Sequence, residues 1–142
     1  MIQTCGFYPQ ETRLECVIDI KQPGGYGGPI GSFGSFEFVQ FCVDGDNDGQ
    51  FSAGESVGLG IVHVHDETLE AAPPWQYAIY RDIDPPGGLR TSNSGSTTTT
   101  ITNGTTRRAR AILSWVVAPT DCNFSPVWGN RVDFRIRLDP IR

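Results

Sequence analysis

The run from Asp44 to Glu55, DGDNDGQFSAGE, spaces oxygen ligands as a hard divalent cation requires. Asp44, Asp46, Asp48, Ser52 and Glu55 stand at loop positions 1, 3, 5, 9 and 12, with Gly49 at position 6. In such a loop the three aspartates converge from alternate positions and Gln50 lends its backbone carbonyl. Ser52 holds a water, and Glu55 supplies two oxygens from the far end. Gly49 permits the sharp bend. Calcium is the expected ion, because magnesium demands a tighter octahedron. Four carboxylates gathered without a cation repel one another; a bound ion removes that repulsion and joins the flanking segments. The competing reading is a solvated hairpin turn, since Asp, Asn and Gly are ordinary turn residues. The complete spacing, including Gly49 and Glu55, favours the metal. No amphipathic helix flanks the loop, so a calcium-sensor EF-hand is not expected.

His63 and His65 are the only histidines. One strand residue separates them, so both point to one face, where two imidazoles can meet zinc, iron, copper or nickel. Glu70 follows, and HxH with a later glutamate is similar to the first metal motif of cupins. The flanking glycines and a further histidine are absent. The alternative is that these imidazoles bond neighbouring strands or loops, or line an interface. Asp82 and Asp84 are a carboxylate pair, but glycoside hydrolysis depends on separation in space, which sequence spacing does not supply. No GxSxG, HExxH or Cys/His signature is present, and no enzymatic activity is expected. A metalloenzyme centred on His63 and His65 is the catalytic alternative. Trp75, Tyr77, Trp128 and Tyr26 are candidates for a carbohydrate-stacking platform, although aromatic residues are also ordinary core material.

The elements that position these residues read as strands. Leu14, Cys16, Ile18 and Ile20 alternate with more polar neighbours. Phe36 to Val43 places Val39, Phe41 and Val43 on one face, and Val57 to His65 resumes strand character after the acidic loop. Trp75 to Ile83 is a further strand between Pro73-Pro74 and Pro85-Pro86. Arg108 to Val117 puts Ala109, Ala111, Leu113, Trp115 and Val117 on one face. Val132, Phe134, Ile136 and Leu138 alternate with Asp133, Arg135, Arg137 and Asp139. Residues 1–12 show no clear period. Residues 22–35 are a glycine-rich loop without the GKS or GKT of a P-loop. The threonines of 92–106 suit a short exposed edge strand. Short strands, long connections and no helical period predict an all-β fold: an antiparallel β-sandwich, jelly-roll-like or immunoglobulin-like, with a calcium-binding hairpin loop. Its strand order stays open.

The 142 residues suit one domain spanning 1–142. Lys+Arg 11 against Asp+Glu 16 gives a net charge of -5, which argues against nucleic acid as a partner. No apolar run is long enough to span a membrane, so direct membrane insertion is not expected. Cys5, Cys16, Cys42 and Cys122 form no CxxC. They allow three complete pairings, with buried free thiols as the alternative. The acidic loop points to an extracellular or cell-surface setting, where calcium is millimolar.

Three passages carry a resemblance. They are Phe38 to Asp44 leading into the acidic loop, Val62 to Asp66, and Arg110 to Trp115 taken with Pro126 to Arg131. Together they resemble an uncharacterised group of secreted bacterial β-rich domains. The acidic loop alone is similar to the metal-loop hairpin of GEVED-type β-sandwich domains, without the GEVED signature itself. The resemblance implies a secreted, modular, non-enzymatic domain with Asp44, Asp46, Asp48 and Glu55 as its metal positions. Cys42 stands where that pattern carries an aromatic, which raises pairing with another cysteine or an assembly contact. The expected function is a calcium-stabilised extracellular structural or adhesive module, with homo-oligomers, surface proteins or glycans as partners. A carbohydrate-binding module is the alternative.

Overall fold

The computed structural model describes residues 1–66, 74–83, 89–92, 98–101 and 106–137. Glu70, Asp84, Leu138 and Asp139, and much of the polar 92–106 stretch, lie outside them. The strands in chain order are β1 (Ile2–Tyr8), β2 (Arg13–Ile20), β3 (Ser35–Val43), β4 (Ser56–Val64), β5 (Trp75–Asp82), β6 (Leu89–Ser92), β7 (Thr98–Ile101), β8 (Thr106–Trp115) and β9 (Gly129–Arg137). A 3-10 turn, Ala53–Glu55, precedes β4. All strand pairs are antiparallel.

Two sheets make the sandwich. One has the order β1-β2-β5 and the other β4-β3-β8-β9, while β6 and β7 form a two-stranded ribbon. The alternation seen in the sequence fixes which face turns inward. Leu14, Cys16 and Ile18 of β2, Val39, Phe41 and Val43 of β3, and Ala111 and Leu113 of β8 join Ile79 and Ile136 in one buried cluster between the sheets. Each large aliphatic or aromatic side chain buried there contributes about 1.5–3 kcal/mol. Gly60 of β4 is required where that edge meets the opposite sheet: a Cβ would lie 2.7 Å from the Tyr80 carbonyl oxygen.

One strand is added and one strand boundary is corrected. Residues 2–8 form a strand although they show no clear period, because β1 is an edge strand whose partner is β2 alone. Strand β8 ends at Trp115 rather than Val117. Val116 takes φ 65, a left-handed conformation, and Val117 is exposed instead of sharing the inner face. The threonine segment does form a strand, Thr98–Ile101, paired with Leu89–Ser92.

All four cysteines are paired. Cys5 lies directly opposite Cys16 in the β1–β2 ladder and bonds to it, and Cys42 bonds to Cys122. Two disulfides point to an oxidising compartment. The Cys42–Cys122 bridge lies on the outer face of the four-stranded sheet, where both residues pack with Phe51. It ties the 116–128 connection down over that face, which leaves Ile112 of β8 fully buried there. The bridges span 80 and 11 residues. Loop-closure entropy then predicts that replacing Cys42 and Cys122 by alanine costs about 4.5 kcal/mol, against about 3 kcal/mol for Cys5 and Cys16. Urea unfolding of the two double variants tests this ranking; a larger loss from the Cys5/Cys16 pair would contradict it.

Candidate functional site

The acidic loop leaves the end of β3 and is held on three sides. Strand β3 pairs with β8 up to Val43 and Ala109, and Asp44 then donates its backbone N–H to the Arg108 carbonyl at 2.9 Å. Asp44 is therefore drawn into the structure and is only 1% exposed. Asp46 and Asp48 are exposed and fold the loop locally. Asp46 accepts from the Asp48 N–H at 3.1 Å and Asp48 from the Gln50 N–H at 2.7 Å. Asn47 and Gly49 take positive φ, 62° and 85°, and so turn the chain.

These turns bring Asp44, Asp46 and Asp48 together. One carboxylate oxygen from each lies within 4.8 Å of the others, a grouping able to hold a metal ion. Like charges this close repel by on the order of 1 kcal/mol per pair in water, and by more as solvent is excluded. One oxygen of the buried member is unsatisfied. Asp44 Oδ2 accepts the Gly49 N–H at 3.0 Å, while Oδ1 is buried with no hydrogen-bond partner among the described residues. A buried, unpaired carboxylate oxygen is costly, and a cation is the partner its chemistry fits.

Glu55 does not join the three aspartates. Its Oε1 accepts the Gly45 N–H at 2.7 Å and its Oε2 the Ser52 N–H at 2.7 Å. It staples the two ends of the loop. The signal for this is in the sequence: Ser52-x-x-Glu55 has capping-box spacing, which directs the glutamate back to the N-cap amide. Ser52 and Gln50 also spend their backbone amides on loop carboxylates. From the strand side, Arg108 Nη1 donates to the Gly49 carbonyl at 2.6 Å. Arg110 lies over the Phe51 ring at 4.3 Å and donates to Asp133 through Nε at 2.6 Å and Nη2 at 2.9 Å. That fork holds the Asp133 carboxyl below the usual carboxylate range. Asn123 Nδ2 donates to the Phe51 carbonyl at 2.8 Å, which links the loop to the Cys42–Cys122 bridge.

The histidines share a face, as their spacing requires, with ring centroids 4.5 Å apart. His63 stacks on Phe36 at 4.5 Å and 9°. His65 Nε2 lies 3.2 Å from the Ser32 carbonyl oxygen. Among the described residues no third ligand groups with them. The neighbouring Asp66 anchors the glycine-rich loop, accepting the Tyr26 N–H at 2.6 Å and the Gly28 N–H at 3.1 Å. The Val62-to-Asp66 passage thus fixes the connection between β2 and β3.

That anchoring places Tyr26 in a groove of about 390 Å³, shared with Trp115, Trp128, Glu37, Asp19 and Lys21. Tyr26 meets Trp115 edge-on at 6.4 Å. Trp115 Nε1 donates to Ser35 Oγ at 3.0 Å, and its backbone N–H donates to the Trp128 carbonyl at 2.9 Å. Of the four aromatic candidates, the structure brings Tyr26 and Trp128 together. Trp75 and Tyr77 do not line this groove: they stand opposite Ile20 and Ile18 in the ladder and pack against the core, the Tyr77 phenol near enough to act on that of Tyr26.

Glu37 shares the inward phase of Val39, Phe41 and Val43, a signal present in the sequence. It is 6% exposed. Desolvation raises its pKa to about 7, with the α-amino group of Met1 opposing the shift. Folded protein therefore keeps a proton that the unfolded chain releases in the ordinary carboxylate range, so stability falls as pH rises towards about 7 and then levels. Glu37→Gln is expected to match the parent near about pH 4.5 and to exceed its stability near about pH 8, by urea unfolding. Parallel pH curves for the two proteins would contradict this.

No family model, no curated protein and no solved structure matches the chain, so its functional reading rests on the geometry of these sites.

Proposed function

We propose that this protein is an extracellular structural or adhesive module whose fold is clamped by calcium at Asp44, Asp46 and Asp48. The observation that carries this reading is the convergence of three carboxylates, one of them buried with an unpartnered oxygen. Carboxylate oxygen suits a hard cation, and a loop supported by backbone contacts rather than a rigid octahedral cage favours calcium over magnesium. Millimolar calcium and disulfide formation belong to the same compartment, which supports a secreted or surface location.

No catalytic role is needed to account for the arrangement. His63, His65 and Asp66 have structural work at Phe36 and at the glycine-rich loop. Exposed Phe33, Phe36, Ile61, Val116 and Val117 give the module apolar surface with which to meet another molecule.

In this reading the ion binds the folded chain and not the unfolded one, so it stabilises by mass action. At about a hundredfold excess over the dissociation constant the gain is ~2.7 kcal/mol, which raises Tm by on the order of 5–10 °C. Melting curves in calcium and in chelator test it. The parent should show this shift and Asp44→Asn should lose most of it. An equal melting temperature for the parent in both buffers would overturn the proposal.

A further inference from the structure

The groove at the other end of β3 has the chemistry of a cation site. Glu37 and Asp44 are seven positions apart on one extended segment, so the groove and the metal loop are separated by roughly 23 Å. Glu37 occupies a core-facing position opposite Trp115, at the end of the sandwich. Among the described residues its carboxyl has no hydrogen bond and no ion pair. Ionised carboxylates are costly to bury without a partner.

The walls beside it are aromatic. Tyr26 and Trp115 form a corner, their planes 77° apart, and Trp128 adds a 67% exposed indole. Ring faces attract cations, and most strongly where a counter-charge shares the desolvated site. The charged groups facing Glu37 are the Met1 α-amino group, Asp19 and Lys21, together with the Tyr26 phenol. The α-amino group donates to the Asp19 carbonyl at 2.7 Å, and Lys21 Nζ lies 3.6 Å from Met1 Sδ. Asp19 accepts from Gln76 Nε2 at 3.2 Å. Neither cation forms an ion pair with Glu37. The α-amino charge acts on Glu37 from nearby without pairing with it, which leaves the carboxyl's hydrogen-bonding oxygens to a ligand.

We propose that this groove binds an organic cation, a methylated ammonium head group, with the Tyr26, Trp115 and Trp128 rings around it and Glu37 as its counter-charge. A neutral sugar would use the same ring faces but would gain nothing from an ionised carboxylate. The distinction is measurable. Because the Glu37 pKa is about 7, cation affinity should rise about tenfold between about pH 6 and about pH 8.

The test is calorimetric titration of the whole chain with choline, with its neutral isostere 3,3-dimethylbutan-1-ol, and with cellobiose. Expected are saturable choline binding and at least about tenfold weaker binding of the isostere and the sugar. Glu37→Gln and Trp128→Ala should each weaken choline binding about tenfold or more in the same titration. Trp128 is largely exposed, so its variant keeps the fold if the carboxyl variant does not, and melting curves of both report which does. Absence of saturable choline binding, equal binding of the isostere, tighter binding of cellobiose, or undiminished choline affinity in a folded variant would each overturn the proposal.

Discussion

Three carboxylates meet at the end of β3, and backbone hydrogen bonds of the loop hold them there. Asp44 cannot swing out, because its backbone is still hydrogen-bonded to Arg108 and its Oδ2 holds Gly49. Asp46 and Asp48 are committed to the local turns that carry the chain back. Glu55 closes the loop from the far side through two backbone amides. Repulsion that could be relieved by a small backbone shift is instead retained, and it is a cation that would remove it.

The acidic loop has a covalent foundation. Cys42 is two residues before Asp44, and its bridge to Cys122 holds the 116–128 connection against the outer face of the sheet. Phe51 packs with both cysteines, under the guanidinium of Arg110, which Asp133 holds in place. The loop therefore belongs to the outer face as much as to the β3–β4 hairpin. An ion bound at Asp44 would strengthen the same unit that the disulfide already restrains. The opposite end of β3 is built differently: it leaves a buried carboxyl among aromatic rings and open space. One strand thus carries the acidic loop at one end and the groove at the other.

The sandwich was legible because its strands obey a period of two. Leu14, Cys16 and Ile18, or Val39, Phe41 and Val43, could face only one way, and they are buried. The aspartates of the acidic loop were legible for the same kind of reason, since turn geometry brings alternate residues together. Other features depend on tertiary context. Strand β1 shows little alternation because it lies at an edge. Cysteine pairing needed the register that sets Cys5 opposite Cys16. Trp75 and Tyr77 look available in sequence, yet the β2–β5 ladder turns them to the core. Glu55 is expected from its spacing as a metal ligand, and its carboxylate accepts the Gly45 and Ser52 amides. Glu37 has the inward phase of its strand, but charged side chains are rarely buried, so its burial depends on the groove that surrounds it.

The central claim is an ion among Asp44, Asp46 and Asp48. A crystal structure determined in the presence of calcium, with anomalous diffraction recorded at long wavelength, tests it most directly. The account predicts one anomalous peak bonded to oxygens of all three aspartates, with Asp44 Oδ1 satisfied. A map with no peak there, and Asp44 Oδ1 bonded to water or to another protein group, would contradict it.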